Sequence, residues 1–418
     1  MGGAQEVVRQ LAERMVEFGH KVNVATSYIK SRTALNHNGV QINQFDVTGN
    51  FVRGFRGEVD RYRDFLASNN FDLVFFYAAQ QWTFDAAWQV INSISGKTVL
   101  VPCGYSGLYL PAYKTYFDEL PKILRLIDGI IYHSKNYRDF EFANKHGVNN
   151  NVLIPNGADE KEFLAPKDNS FRKRFGIEDD EIVLLTVGTL TGLKGHLELA
   201  EAFKKTTFNA HKSVLILNGN QPHRGSNFTK LLQLPLILNE HGLFITGKLV
   251  LKSLLWAAGI RVGKTLSLSE RIKKINKQLT PNKRILITDL PRLQLVQAYL
   301  NADLFVFASN VEYSPLVLFE ACAAGLPFLS VPVGNSAEIA SWTKGGEICP
   351  AEADLQGYTR VDTDTLAKKI ENLITNKVKL EELGVNGKSA WQLRYNWDNL
   401  AREYEVFFNS LIALSTKA

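Results

Sequence analysis

The chain has 418 residues, 48 Lys or Arg against 42 Asp or Glu, a net charge of +6 and 45% hydrophobic residues. That composition excludes a largely disordered polymer and gives enough apolar material for more than one core. Three cysteines, Cys103, Cys322 and Cys349, are too few and too scattered for a disulfide framework or a cysteine zinc site, and they suit a reducing, cytoplasmic setting. The longest uncharged run, 321–337, contains two prolines and two glycines, so no membrane span is expected; peripheral contact with a membrane surface stays open.

Taken in chain order, Val7, Val8, Leu11, Ala12, Met15 and Val16 recur at helical spacing, and Gly19 stops that helix. Strands are expected at 21–26, 40–45, 73–77, 99–101, 129–132 and 152–154, with helices at 58–66 and 84–94 among those between them. The chain turns polar after Pro155-Asn156-Gly157. A second series follows, with strands at 182–187, 214–217, 285–287, 304–307 and 328–331. Strands alternating with helices predict parallel sheets covered on both faces. The chain therefore reads as α/β, with a first doubly wound domain over 1–160 and a second over 161–395. The last helix, about 396–418, is expected to pack back on the first. Two such domains leave a cleft, with ligands at the carboxyl ends of the strands.

The run from Ser309 to Pro327, SNVEYSPLVLFEACAAGLP, is the most informative stretch. Ser314 suits a helix N-cap and Pro315 the first helical position, which would leave the N–H groups of Leu316 and Val317 facing the end of the strand before them. A diphosphate would find donors and the positive helix end there. Glu312 and Glu320 beside an anion site make sense as acceptors for hydroxyl groups. The plainer alternative is a capped core helix with one solvated and one salt-bridged glutamate. In the run from Leu184 to His196, LLTVGTLTGLKGH, Lys194 sits at a strand-to-helix turn where a lysine can meet a phosphate.

These residues carry a resemblance. The S-x-x-E-x-x-P-L-V-L-x-E pattern over 309–320, Gly2-Gly3 before an amphipathic helix ending Gly19-His20, Ile154-Pro-Asn-Gly157, and Gly188 with Lys194-Gly195 together resemble the family 4 retaining glycosyltransferases. The resemblance covers most of the chain outside 221–283. It implies the GT-B architecture, two facing Rossmann-like doubly wound domains, and transfer of a sugar from a nucleotide-sugar donor to a glycan or lipid-linked acceptor. It further implies retention at the anomeric carbon and no metal or other cofactor. On that pattern Lys194 neutralises the leaving diphosphate, and backbone donors at Ser314, Leu316 and Val317 hold the same group. Glu320 takes the ribose hydroxyls, Glu312 faces the donor sugar, and Gly2, Gly3, Gly188 and Thr189 approach the donor.

Three departures stand out. Thr189 occupies the place where the family usually has an arginine, so one of the two usual diphosphate cations is either missing or supplied from elsewhere, such as by Arg292 or the basic segment. The family's histidine on an N-domain strand end has no counterpart in Val101–Gly107, where Cys103, Tyr105 and Ser106 are the polar acceptor-side candidates. No strand precedes the Gly-Gly loop, which predicts a gap in the first domain's sheet and low stability there. A nucleotide-sugar-binding protein without catalysis is the competing reading.

Residues 230–284 hold eleven Lys or Arg and two acids, so the chain's positive excess is local. Leucines and Trp256 beside those cations suit contact with anionic lipid, and a solvated basic lobe fits equally. Their aromatic residues are not interleaved with the cations, so nucleic acid is not an expected partner. Ala258–Thr265 satisfies a loose phosphate-loop pattern, a remote NTPase alternative. In Asp362-Thr-Asp364, Asp364 reads as a helix N-cap rather than a metal ligand.

Overall fold

A computed structural model describes residues 2–208, 211–220 and 266–415. The chain divides into two compact units. One holds the described residues up to Ile154 with those from Ala401 onward, and the other holds the described residues between Pro155 and Leu400. Much of the 221–283 insertion, with the phosphate-loop pattern at 258–265 and most of the basic segment, lies outside the described residues.

The first unit opens on the helix Gly3–Glu17, which buries Val7, Leu11, Ala12 and Met15 along one stripe. Gly2 enters it in extended conformation, with its N–H held by Gln5 Oε1 at 2.6 Å. Its strands form two larger sheets. Asn23–Ser27 pairs in parallel with Val40–Phe45, which in turn meets the short strand Asn36–His37. Leu73–Tyr77, Lys97–Val101, Gly129–Tyr132 and Asn151–Leu153 form a separate four-stranded parallel sheet.

Both sheets nevertheless share one core. Phe45, Tyr62, Phe76, Trp82, Leu100 and Ile130 belong to a single buried cluster, and Ala25 and Val74 pack against it. Trp82 also donates from its indole N–H to Ser27 Oγ at 2.9 Å. Among the described residues, no strand pairs with the free edge of either Asn23–Ser27 or Leu73–Tyr77. The burial follows suit: Val99, Leu100 and Val101 are wholly buried, whereas Leu73, Val74 and Phe75 are half-exposed. From Ala401 on, the helix Trp397–Ser415 closes the sheet, with Tyr404 and Phe408 against Phe75.

The second unit has a six-stranded, wholly parallel sheet. Its order is Lys283–Thr288, Ser213–Asn218, Ile182–Val187, Leu304–Phe307, Phe328–Ser330 and Gly346–Ile348. Buried on both faces, its four central strands read as near-continuous apolar runs, as parallel strands should. Each such Leu, Val, Ile or Phe contributes about 1.5–3 kcal/mol by leaving water.

Local expectations needed several corrections. The helix expected over 84–94 is Trp82–Ala87, after which Val90 N–H bonds Ala87 O and the chain tightens into a short turn at Ile91–Ser93. The sixth strand, Gly346–Ile348, carries no apolar run that the sequence would betray; it forms because Phe328–Ser330 offers an edge. Asp362, not Asp364, caps the helix Thr363–Thr375, accepting from Thr365 N–H at 2.7 Å, while Asp364 pairs with Lys205. Of the basic segment, 266–283 includes the helix Leu268–Asn276, capped by a reciprocal Ser267–Glu270 box. Among the described residues, no helix is long and apolar enough to cross a membrane.

Amides on the free edges of Asn23–Ser27 and Leu73–Tyr77 should exchange with solvent at least ~100-fold faster than those of Val99–Val101. Native-state hydrogen exchange checks this, and uniform protection across the three strands would contradict it.

Candidate functional site

In a parallel sheet every carboxyl end lies on one edge, so the loops after neighbouring strands emerge together. Leu184 pairs with Leu304 and Leu185 with Phe305, which sets the loop 188–195 beside the loop 308–315. Contact between them is close. Gly195, at φ +66° before the helix His196–Lys205, would drive a Cβ to 1.8 Å from Ala308 O, so only glycine fits. Asn310 N–H bonds Leu193 O at 2.9 Å.

This junction brings Lys194 to Glu312. Lys194 Nζ lies 2.5 Å from Glu312 Oε1, with 28% and 16% of the two side chains exposed. Ser309 Oγ donates to the same carboxylate oxygen at 2.9 Å. Both charges are thus matched, partly withdrawn from water and still reachable. Gly188 lies under the lysine stem, since a Cβ there would stand 3.1 Å from Lys194 Cγ. Thr189 follows on the same loop, half-exposed.

The helix beside them starts one residue later than expected. It spans Leu316–Ala324, and Pro315, not Ser314, occupies the cap position at ψ 114°. Two contacts hold the approach extended: Asn156 Nδ2 donates to Ser314 O at 3.2 Å, and Asn335 N–H to Tyr313 O at 2.8 Å. Gly334, at φ +56°, allows the second approach, because a Cβ would stand 2.3 Å from Tyr313 O. Ser314 Oγ is buried without a hydrogen-bond partner. The orphan N–H groups of this helix's first turn are those of Leu316 and Val317.

Glu320, further along the helix and 8% exposed, stands in a different network. Its Oε2 accepts from Tyr299 OH at 2.9 Å and its Oε1 meets Arg292 Nη1 at 2.7 Å. Arg292 also grips Glu162, with Nη2 2.5 Å from Oε2. Arg292 is therefore matched by two carboxylates in this structure.

The remaining candidates lie in the first unit. Gly2 and Gly3 start its first helix, exposed. Cys103 and Tyr105 follow Lys97–Val101 at left-handed φ of 60° and 46°. Tyr105 is a core residue, 1% exposed and edge-on to Phe117 and Phe142. Burial, then the neighbouring Asp139, pushes the Cys103 thiol up to about 12. Cys103 is half-buried, and Ser106 is exposed, its hydroxyl toward Gln80 Oε1. A depression of about 840 Å³ in the second unit, lined in part by Asp179, Phe208, Asp303 and Leu380, lies at the opposite, amino-terminal edge of its sheet.

Sequence reasoning missed Ser309, Asn156, Tyr299 and Glu162. Ser309 and Asn156 stood inside motifs that had been noted, while Tyr299 and Glu162 carry no local signal.

Residues 258–390 match the family model described as glycosyl transferases group 1. The chain has the GT-B fold. It is similar over 99% of its length to sucrose-phosphate synthase from Thermosynechococcus elongatus, with TM-score 0.69, 17% identity and 94% of that chain covered. Anabaena HepE, solved with UDP, matches 98% of the chain and 96% of its own at TM-score 0.68 and 15% identity. An uncharacterized glycosyltransferase of Methanocaldococcus jannaschii is 24% identical over 255 residues, 60% of this chain. The match spans 52% of that relative, about half its length. In the GT-B frame, the Lys194–Glu312 junction belongs to the C-terminal Rossmann-like domain.

His196 sits next to this junction, 1% exposed, with neither ring nitrogen hydrogen-bonded. Burial, then the Lys194 charge, lowers it from 6.5 to about 4. The fold therefore refuses a proton that the unfolded chain accepts below 6.5. Stability from this group is full above that pH and is lost as pH falls toward 4, at up to ~1.4 kcal/mol per pH unit. Urea unfolding at stepped pH should show His196→Phe losing less stability between pH 6.5 and 4.5 than the parent; equal slopes would contradict this.

Proposed function

We propose that the protein is a glycosyltransferase that moves a sugar from a nucleotide-sugar donor to a glycan or lipid-linked acceptor, with retention of anomeric configuration. The observation that carries this reading is the Lys194–Glu312 pair at the carboxyl edge of the sheet, beside the orphan N–H groups of Leu316 and Val317. The group 1 match over 258–390 and the UDP held by HepE support it, and make a UDP-sugar the first donor to try.

The chemistry follows from charge. As the sugar–phosphate bond breaks, negative charge builds on the diphosphate. Preorganised donors in a partly dry site stabilise that charge far better than water would. Lys194 Nζ exchanges its partner, from Glu312 to a phosphate oxygen. Leu316 and Val317 N–H, at the positive end of their helix, hold the same group. The exchange frees Glu312 to accept from a hydroxyl of the donor sugar, while Ser309 keeps that carboxylate in place. In this reading Glu320 accepts from the ribose, and the site calls for no metal.

Lys194→Ala and Glu312→Gln should each lower turnover by ~10²–10³-fold with the fold retained. Turnover assays and thermal unfolding check both variants, and the anomeric coupling of the product reports retention. Full activity in Lys194→Ala would defeat the assignment.

The acceptor side of the proposal includes peripheral lipid contact through residues 230–284. Sedimentation with vesicles containing phosphatidylserine should show binding that weakens between 50 and 300 mM salt, test concentrations of the order over which screening shortens to several Å. Binding that is absent or insensitive to salt would remove lipid from the list of partners.

A further inference from the structure

Glu320, in the helix Leu316–Ala324, is held by a clamp whose members come from two other elements of the second unit. Glu162 lies in the short helix Glu160–Phe163, and Arg292 and Tyr299 lie in the helix Arg292–Asn301. Arg292 bridges the two carboxylates. Its Nε and Nη2 face Glu162 in a fork, with Nε 3.1 and 3.0 Å from the two oxygens, and its Nη1 reaches Glu320. The guanidinium also lies over the Phe163 ring, 5.7 Å from its centre. Burial, then the Glu320 charge, pushes the Tyr299 hydroxyl well above its ordinary value, so it stays protonated and donates to Glu320 Oε2.

An ionised carboxylate offers about four acceptor sites, two on each oxygen. Arg292 takes one on Oε1 and Tyr299 one on Oε2, leaving about one on each. What remains accepts from a pair of neighbouring donors, such as a vicinal diol, and offers nothing to an anion. The orientation of that pair is set by the clamp, because a free glutamate would rotate about three side-chain bonds. We propose that Arg292, anchored by Glu162 and assisted by Tyr299, is a positioning residue that fixes Glu320 for two-point recognition of adjacent hydroxyls, and so selects a ribonucleotide donor over its 2′-deoxy counterpart. This rests on the donor-site reading given above. It also assigns Arg292 a task other than diphosphate binding.

The test compares a UDP-sugar and its 2′-deoxyuridine analogue, as KM and kcat, in the parent protein, Arg292→Lys and Tyr299→Phe. Lysine keeps the positive charge but cannot span both carboxylates as the planar fork does. Tyr299→Phe removes one hydroxyl and leaves the ion pairs standing, so it serves if Arg292→Lys does not fold. The parent should prefer the ribose donor by at least ~10-fold in KM, and the variants should lose most of that preference, with kcat within about threefold, since a mispositioned acceptor group weakens a shared ground-state contact. A preference kept at the parent's level in a folded variant overturns the clamp. A parent that uses the donor without any such preference overturns Glu320 as its reader. Failure of the parent to bind either nucleotide, by calorimetry with UDP, overturns the donor-site reading and this inference with it. A variant that loses kcat with KM and preference unchanged assigns Arg292 to leaving-group charge instead, and overturns the proposal.

Discussion

The pairing of Ile182–Val187 with Leu304–Phe307 is the constraint on which the rest of the second unit depends. Parallel register places both carboxyl ends on one edge, and the loops that leave them have nowhere to go but alongside each other. Gly195 lets those loops touch at backbone distance, and from that contact come the Lys194–Glu312 pair and the exposed start of Leu316–Ala324. Residues 118 positions apart meet because a sheet register was satisfied deep in an apolar core.

The two ion-pair systems of this domain differ in kind. Lys194 and Glu312 make one contact with each other, and a ligand of stronger charge can compete for the lysine at modest cost while Ser309 retains the glutamate. Arg292 is multiply bonded across two carboxylates, and removing it would leave Glu162 and Glu320 unpaired in a partly dry setting, where an uncompensated charge is expensive. The first arrangement suits exchange of partners and the second suits permanence. The start of the helix Leu316–Ala324, with its orphan donors, lies beside the first of these two systems.

The first unit shows a different solution. Its two larger sheets share one buried cluster, yet Asn23–Ser27 and Leu73–Tyr77 each keep a free edge among the described residues. Apolar packing through Phe45, Tyr62 and Trp82, with Ala25 and Val74 against the cluster, joins what hydrogen bonding does not. Hydrophobic contact is not directional, so it can bridge sheets whose ladders stop, but it leaves backbone groups at the edges to be satisfied by water.

Much of this was legible in the sequence. Parallel strands of the second unit declared themselves as apolar runs, and Ile182–Val187 and Leu304–Phe307 match their expected bounds, because burial on both faces demands mostly apolar residues. The motif from Ser309 to Pro327 named Glu312, Glu320, Leu316 and Val317 as candidates because a helix start after a strand has a local chemical signature. What only the tertiary structure decided depends on partners remote in the chain. Asn156 took the Ser314 carbonyl, packing carried Tyr105 into the core, and Glu162 and Glu320 between them tied Arg292. Local composition records the cost of burying a residue, and it holds no record of which distant side chain will meet it.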